Sequence, residues 1–208
     1  MKKKYENVKQ KNNKENSMDV VFLLDSSGSM AGCEDNTING YNDYLLSLKG
    51  KNVKVTTVLF DDKYELLTDR EDIKKINLLD RNKYYVRGCT ALMDAIGKTI
   101  NYLDSKENNK VIFIITTDGL ENSSVEYTKK DVKALINKHK NWEFMYLGAN
   151  IDSYDEASKI GIKKENTSNY QKEGKGVKKM FNALSKASEC FYENSVIEKN
   201  WKKDVETN

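Results

Sequence analysis

Short apolar runs alternate with longer amphipathic stretches along most of this chain. The apolar runs predict buried strands at residues 19–24, 52–60, 111–115 and 143–147. Between them, apolar residues recur every three or four positions, which predicts helices over about residues 35–48, 90–103, 128–138, 152–160 and 174–190. This alternation is typical of an α/β fold. We expect a Rossmann-like, doubly wound, mostly parallel central sheet with helices on both faces.

Two weaker segments complete the predicted sheet. Residues 64–67 follow a polar turn and are expected to pair back as one short antiparallel strand. A further helix is expected over about residues 69–79, because three apolar residues recur there at helical spacing. An edge strand is expected near Thr167.

The 208 residues fit one domain flanked by two polar segments. Residues 1–17 are rich in Lys and Asn and have few apolar side chains, so we expect them to form a disordered basic arm. The folded domain is expected over residues 18–192. Residues 193–208 are expected to form a polar C-terminal tail.

The bulk composition limits the possible partners and the cellular location. With 35 Lys and Arg against 32 Asp and Glu, the formal net charge is +3, which favours neither nucleic acid nor a membrane as the partner. No apolar stretch is long enough to span a bilayer, and the N-terminus lacks the apolar run of a secretory signal. The three cysteines are odd in number and fit reduced thiols. We therefore expect a cytoplasmic protein.

The first apolar run ends in a small, oxygen-rich loop. Asp25, Ser27 and Ser29 are spaced two residues apart, so one curl of the loop is able to point all three side chains at a common centre. Carboxylate and hydroxyl oxygens are hard donors that suit Mg²⁺ far better than zinc or copper. On its own, this segment is better explained as a buried strand followed by a polar turn, so the remaining ligands must come from elsewhere in the chain.

Two later segments supply the remaining oxygen donors. Asp118 follows the apolar strand predicted over residues 111–115 after two threonines, and Thr90 stands at the start of a predicted helix. The carboxyl ends of parallel strands share one edge of a sheet, and ligands bind there where the strand order reverses. We therefore expect the loop of Asp25, Thr90 and Asp118 to converge on one metal site.

Three motifs resemble the metal-ion-dependent adhesion site of the von Willebrand factor A (VWA) domain family. They are DSSGSM at residues 25–30, GCTAL at 88–92 and TTDG at 116–119. The similarity extends over about residues 19–190 and suggests an intracellular bacterial or phage type of domain. The resemblance implies a VWA-like fold.

The same resemblance implies a role for each motif residue. Ser27, Ser29 and Thr90 match positions that give hydroxyl ligands to Mg²⁺ or Mn²⁺, and Asp25 and Asp118 match positions that hold the ion largely through water. A carboxylate of a partner protein commonly completes the coordination in that family. The chain departs from the family at the residue before Thr90, where it has a cysteine in place of the frequent glycine.

The favoured function is a non-enzymatic module that binds an Asp or Glu of a partner protein through a Mg²⁺ ion. Asp61, Tyr85 and Asn150 are expected at the rim that contacts this partner, although turn formation also explains polar residues there. The alternative is a Mg²⁺-dependent hydrolase or phosphoryl-transfer enzyme. Against it, the chain lacks a P-loop and a separate candidate base, and Ser27 stands where an aspartyl phosphatase would need a second Asp. A third possibility is a purely structural domain, which three matched motifs disfavour.

Overall fold

The computed structural model describes residues 16–106 and 110–206. Most of the predicted N-terminal arm lies outside the described residues. The described part contains a six-stranded sheet with strand order β3-β2-β1-β4-β5-β6. The strands are β1 (Met18–Asp25), β2 (Val53–Phe60), β3 (Tyr64–Asp72), β4 (Lys110–Thr117), β5 (Trp142–Ala149) and β6 (Thr167–Tyr170).

All neighbouring strands run parallel except β2 and β3, which pair antiparallel. Helices connect the parallel strands and cover both faces of the sheet. They are α1 (Glu34–Ser47), α2 (Leu92–Asp104), α3 (Lys129–Lys138), α4 (Ser153–Lys159), α5 (Gly174–Asn194) and the short α6 (Lys203–Glu206). The predicted α/β class, mostly parallel sheet and edge strand at Thr167 are confirmed.

Strand β1 shows why this sheet needs helices on both faces. Its residues 20–24 are all completely buried. Alternate side chains point to opposite faces of a strand, so Val20 and Phe22 join the core under α1 and α5, whereas Val21 and Leu23 join the core under α2, α3 and α4. A continuous apolar run is the pattern expected of a strand that is covered on both sides.

The direction of chain travel reverses beside β1. The chain moves outward from β1 through β2 to β3, and α2 then carries it back to β4 on the other side of β1. Residue Leu24 of β1 lies level with Thr116 of β4. The loops that follow these two strands therefore meet at the point where the strand order reverses, which is where ligands bind in open α/β sheets.

The helix predicted over residues 69–79 is wrong. Strand β3 continues to Asp72, past a bulge, and no helix occurs between it and α2. At the bulge, the Arg70 guanidinium pairs with the buried carboxylate of Asp19 at 2.8 Å. Further on, the amide of Asn42 in α1 bonds both the N–H and the carbonyl of Leu79. Contacts with distant residues thus replace the hydrogen bonds of a local helix.

The segment after α5 packs against the domain. Trp201 is 8% exposed, and its indole N–H donates to the carbonyl of Glu165 at 2.8 Å. Val205 of α6 is also buried in the core under α5. The predicted polar tail over residues 193–208 therefore contributes apolar side chains to the domain.

No helix among residues 16–106 and 110–206 combines the length and the apolar character that crossing a membrane requires.

Candidate metal centre

Asp25 is the most deeply buried carboxylate at this edge of the sheet. Its side chain lies at the end of β1 with no exposed surface. One carboxylate oxygen accepts the backbone N–H of Ser27 at 2.7 Å, and the other accepts the hydroxyl of Thr117 at 2.5 Å. Burial raises the Asp25 pKa to about 6, although these hydrogen bonds counter part of the effect. The bonds fix both the carboxylate and the turn that follows it.

A chain of oxygen atoms links the first motif to the end of β4. The Ser27 and Ser29 hydroxyl oxygens are 3.0 Å apart, and the Ser29 hydroxyl donates to Asp118 Oδ1 at 2.5 Å. Ser27 and Asp118 are buried, whereas Ser29 is exposed. Three predicted ligands from two loops therefore lie side by side, with the opening toward solvent at Ser29.

Thr90 faces the same centre from the third loop. A methyl group built on Gly119 would lie 2.8 Å from the Thr90 hydroxyl oxygen and 3.2 Å from that of Ser29. The two hydroxyls thus approach each other over a backbone position that has no side chain, and any larger residue there would fill the space between them. Asn122 holds Thr90 in place through two hydrogen bonds. The Asn122 side-chain carbonyl accepts the backbone N–H of Thr90 at 2.8 Å, and the backbone N–H of Asn122 donates to the Thr90 carbonyl.

The loop that precedes Thr90 is bonded directly to the first motif. The N–H of Arg87 donates to the Ser26 carbonyl at 2.8 Å, and the N–H of Gly28 donates to the Gly88 carbonyl at 3.1 Å. The buried Tyr84 hydroxyl donates to the Asp25 carbonyl at 2.6 Å. These bonds join two segments about 60 residues apart in sequence into one rigid rim.

The residues brought together fit a hard divalent cation. Three neutral hydroxyls, from Ser27, Ser29 and Thr90, lie with the carboxylates of Asp25 and Asp118 on adjoining loops at the carboxyl edge of the sheet. Oxygen donors with only two negative charges suit Mg²⁺ or Mn²⁺, which retain waters and accept a further anionic oxygen. All five predicted ligands therefore belong to one cluster.

The predicted rim residues have different environments. Asp61, expected at the rim, is 1% exposed, and its carboxylate accepts from the Arg87 guanidinium at 2.5 Å and from the Lys63 N–H at 2.6 Å. Its backbone carbonyl also accepts the N–H of Ala91. Asp61 was therefore wrongly expected to contact a partner, since its side chain supports the loop before Thr90 from below.

Tyr85 and Asn150 lie at the surface of this edge. The Tyr85 ring is 48% exposed and lies under the Arg87 guanidinium, whose carbon is 4.7 Å from the ring centroid. Asn150 follows β5 in the left-handed backbone region, with φ of 57°, and its side chain is exposed. Their role in contacting a partner stays a prediction.

The sequence did not predict the contribution of Lys172. Its ammonium lies 2.8 Å from Asp118 Oδ2 and also donates to the carbonyl of Ser29. Partial burial lowers the Lys172 pKa, but the hydrogen bond and charge of Asp118 outweigh burial and raise the pKa above its usual value. Nothing in the local sequence marks this lysine, which follows the edge strand β6. Thr117 and Asn122, by contrast, lie within or beside the TTDG motif, so their supporting roles had a nearby signal.

A family model confirms the family resemblance that the three motifs indicated. The model of the von Willebrand factor type A domain matches residues 19–183. The chain belongs to this family. The match covers all five candidate ligands and the whole sheet of the VWA domain, including the strand-order reversal at which the ligands meet.

Solved VWA-type structures share the fold at low sequence identity. Proximal thread matrix protein 1 from the mussel byssus, with a zinc-occupied MIDAS motif, superposes with a TM-score of 0.65 at 16% identity, covering 84% of this chain and 46% of that one. The pilus adhesin SpaC of Lactobacillus rhamnosus GG superposes with a TM-score of 0.65 at 15% identity, covering 85% of this chain and 30% of that one. The vWF domain of the pilus tip protein Mfa5 of Porphyromonas gingivalis superposes with a TM-score of 0.66 at 10% identity, covering 88% of this chain and 99% of that one.

The chain spans less than half the length of the byssus and SpaC chains, and most of the length of the Mfa5 domain. No curated protein matches the sequence. The comparisons thus show a VWA domain, a family made up mostly of non-catalytic binding modules.

Proposed function

We propose that this VWA domain binds a partner protein through a Mg²⁺ or Mn²⁺ ion held at the carboxyl edge of its sheet. The observation that carries the proposal is the continuous cluster of oxygen atoms on Ser27, Ser29 and Asp118, with the Thr90 hydroxyl facing Ser29 over Gly119. When bound, the ion would supply a Lewis-acidic position for a carboxylate oxygen of the partner.

The charge of the site favours an acidic partner residue. Asp25 is fully buried with both oxygens accepting hydrogen bonds, and Asp118 has its two oxygens bonded to Ser29 and Lys172. Neutral hydroxyls make up the rest of the donor set, so a divalent ion would still accept an anionic ligand readily. An Asp or Glu of the partner provides that ligand, with Tyr85 and Asn150 on either side of its approach.

We propose binding over catalysis because of the state of Asp25. A general base must reach the proton that it removes. Asp25 has a raised pKa, but its carboxylate has no exposed surface and is hydrogen-bonded to the Ser27 backbone and the Thr117 hydroxyl. Its geometry suits the fixing of the loop more than proton transfer to a bound substrate.

We further propose a cytoplasmic location. Cys33, Cys89 and Cys190 are all unpaired thiols, which fits a reducing compartment. Two of the similar structures come from pilus proteins, and cell fractionation distinguishes a cytoplasmic from a surface location. Fractionation of the native host with an antibody to the domain is expected to recover it with the soluble cytoplasmic proteins.

The metal is tested first on the isolated chain. Mg²⁺ at about one hundred times its dissociation constant is expected to stabilise the wild type by about 2.7 kcal/mol, as measured by urea unfolding in MgCl₂ and in EDTA. The Asp118→Asn variant is expected to lose most of this stabilisation. Asp62→Asn removes an exposed charge from the same edge and is expected to keep it. Equal stabilisation of all three proteins would exclude the site.

The partner chemistry is tested with a random peptide display library. Selection on the immobilised domain in MgCl₂ is expected to enrich peptides with Asp or Glu, and EDTA is expected to release them. Ser27→Ala should bind the selected peptides at least tenfold more weakly, because it lacks one hydroxyl ligand. Selection of peptides without acidic residues, or retention in EDTA, would contradict metal-bridged binding.

A further inference from the structure

Lys172 forms an ion pair with one of the candidate metal ligands, Asp118. It lies between β6 and α5, and its ammonium is 2.8 Å from Asp118 Oδ2. The same ammonium donates to the backbone carbonyl of Ser29. The Lys172 ammonium therefore contacts both the loop after β1 and the residue after β4, which carry four of the five candidate ligands.

This contact uses the Asp118 carboxylate oxygen that does not bond Ser29. Asp118 Oδ1 accepts the Ser29 hydroxyl, and Oδ2 accepts Lys172. The Asp118 side chain is 1% exposed, whereas that of Lys172 is 26% exposed. A buried carboxylate requires a compensating charge, and the ammonium supplies one positive charge where a metal ion would supply two.

We propose that Lys172 is a tethered cation that a divalent metal ion must displace from Asp118, so that this residue sets the metal affinity of the domain. The inference rests on the proposed function, because it concerns the regulation of the same site. Two cations at one buried carboxylate repel each other strongly where solvent screening is weak. Binding of the ion and release of the ammonium are therefore coupled.

The surrounding structure offers the released side chain a place to go. An open groove of about 540 Å³ has Lys172 in its lining, together with Ala31, Gly32, Cys33, Asn150, Gln171 and Glu173. The Lys172 carbonyl accepts the Cys33 thiol at 3.3 Å, which holds the backbone of Lys172 at this groove. An ammonium turned into the groove would no longer contact Asp118 and would be free to face an approaching acidic partner.

The first test measures metal affinity directly. Isothermal titration with MgCl₂ and with MnCl₂ compares the wild type with Lys172→Met and with Lys175→Met. Lys175 lies on the first turn of α5 and is exposed, so its removal changes the net charge equally without touching Asp118. Lys172→Met is expected to bind either ion about tenfold more tightly than the wild type, and Lys175→Met is expected to stay within twofold.

The outcomes separate this inference from the proposed function. Metal binding by the wild type and by Lys172→Met with equal constants, or weaker binding by the variant, would overturn the role of Lys172 and leave the metal site standing. Metal binding by Lys172→Met but not by the wild type would support the inference, because it would show that Lys172 blocks the site completely. No binding by any of the proteins would overturn both the metal site and the role of Lys172.

A second test uses only the wild-type chain and does not depend on a variant that folds. Lysine acetylation by a limiting amount of acetic anhydride is followed by mass spectrometry in MgCl₂ and in EDTA. The rate at Lys172 is expected to rise severalfold in MgCl₂, because the ammonium leaves its buried partner, while the rate at Lys175 stays constant. An unchanged or lower rate at Lys172 in a chain that binds Mg²⁺ would overturn the inference.

Discussion

Asp25 shows how one side chain both shapes the metal edge and weakens the fold around it. The carboxylate is completely buried at the end of β1 and is held by Ser27 and Thr117. Two hydrogen bonds do not fully replace the water that a charged carboxylate loses on burial. The cost appears as a pKa raised to about 6, so the folded chain without metal binds a proton there more tightly than the unfolded chain does.

This imbalance predicts a pH dependence of stability in EDTA. The folded pKa lies above the ordinary value of 3.8, so the contribution of Asp25 to stability is fully present below pH 3.8 and is lost as the pH rises through about 6. Asp25→Asn cannot ionise. Between pH 5 and 7.5 we therefore expect the wild type to lose on the order of 1 kcal/mol relative to this variant, as measured by urea unfolding. Parallel pH curves for the two proteins would contradict the prediction.

The five candidate ligands were predictable because each lies beside a strong local signal. Asp25 and Asp118 end apolar strands, and Thr90 precedes a helix with a clear apolar face. Lys172 carried no such signal, since only the three-dimensional fold brings the segment after β6 next to Asp118. The burial of Asp61 was equally invisible, because it depends on its pairing with Arg87.

The elements pack closely where glycine replaces a side chain. Helix α1 crosses α5 at Gly40, and a methyl group built there would lie only 2.1 Å from a ring carbon of Phe181. The Phe181 ring is buried and stacks on Phe22 of β1 with centroids 5.9 Å apart. The ring therefore has little freedom to move away.

Gly40→Ala is therefore expected to destabilise the domain, although alanine favours helices by about 1 kcal/mol over glycine. Overpacking costs about 1 to 3 kcal/mol, so we expect a net loss of about 1 kcal/mol in the free energy of unfolding. Phe181→Leu should relieve the clash, so the double variant should be more stable than the sum of the single changes predicts. Additive effects in this double-mutant cycle, measured by urea unfolding, would show that the helices shift apart freely.

Strand β3 explains why one predicted helix does not form. The apolar periodicity over residues 69–79 indicates only that the apolar side chains of this segment are buried, and Ile73 is completely buried. The backbone conformation is decided elsewhere: Arg70 pairs with Asp19 of β1, and Leu79 bonds the Asn42 amide of α1. Spacing alone does not reveal such distant partners. The strongly periodic helices and the continuous apolar strands, which depend on local pattern, were predicted correctly.

For the molecule as a whole, the C-terminal segment packs beside the edge strand β6, which β5 separates from β4. The Trp201 indole N–H donates to the carbonyl of Glu165, which precedes β6. We expect Trp201→Ala to lower the free energy of unfolding by about 3 kcal/mol, since truncation of a buried Trp leaves a cavity. Urea unfolding measures this loss.

The same variant should leave metal binding unchanged. Trp201→Phe retains most of the buried volume and provides the matched control, with a smaller loss of stability than Trp201→Ala. A change of more than twofold in the Mg²⁺ dissociation constant of either variant would show that the C-terminal segment is coupled to the candidate metal centre.

The spacing of the candidate ligands along the chain also determines when the domain would be able to bind the proposed ion. Ser29 and Asp118 are 89 residues apart, yet their side chains share a hydrogen bond. During synthesis, the first loop emerges well before β4, and closing so long a segment carries a large entropic cost that the folding of the sheet must meet. An isolated first loop offers one carboxylate and two hydroxyls to the ion. Under the proposed function, the ion would therefore bind chains whose central strands have already paired and would not guide their folding.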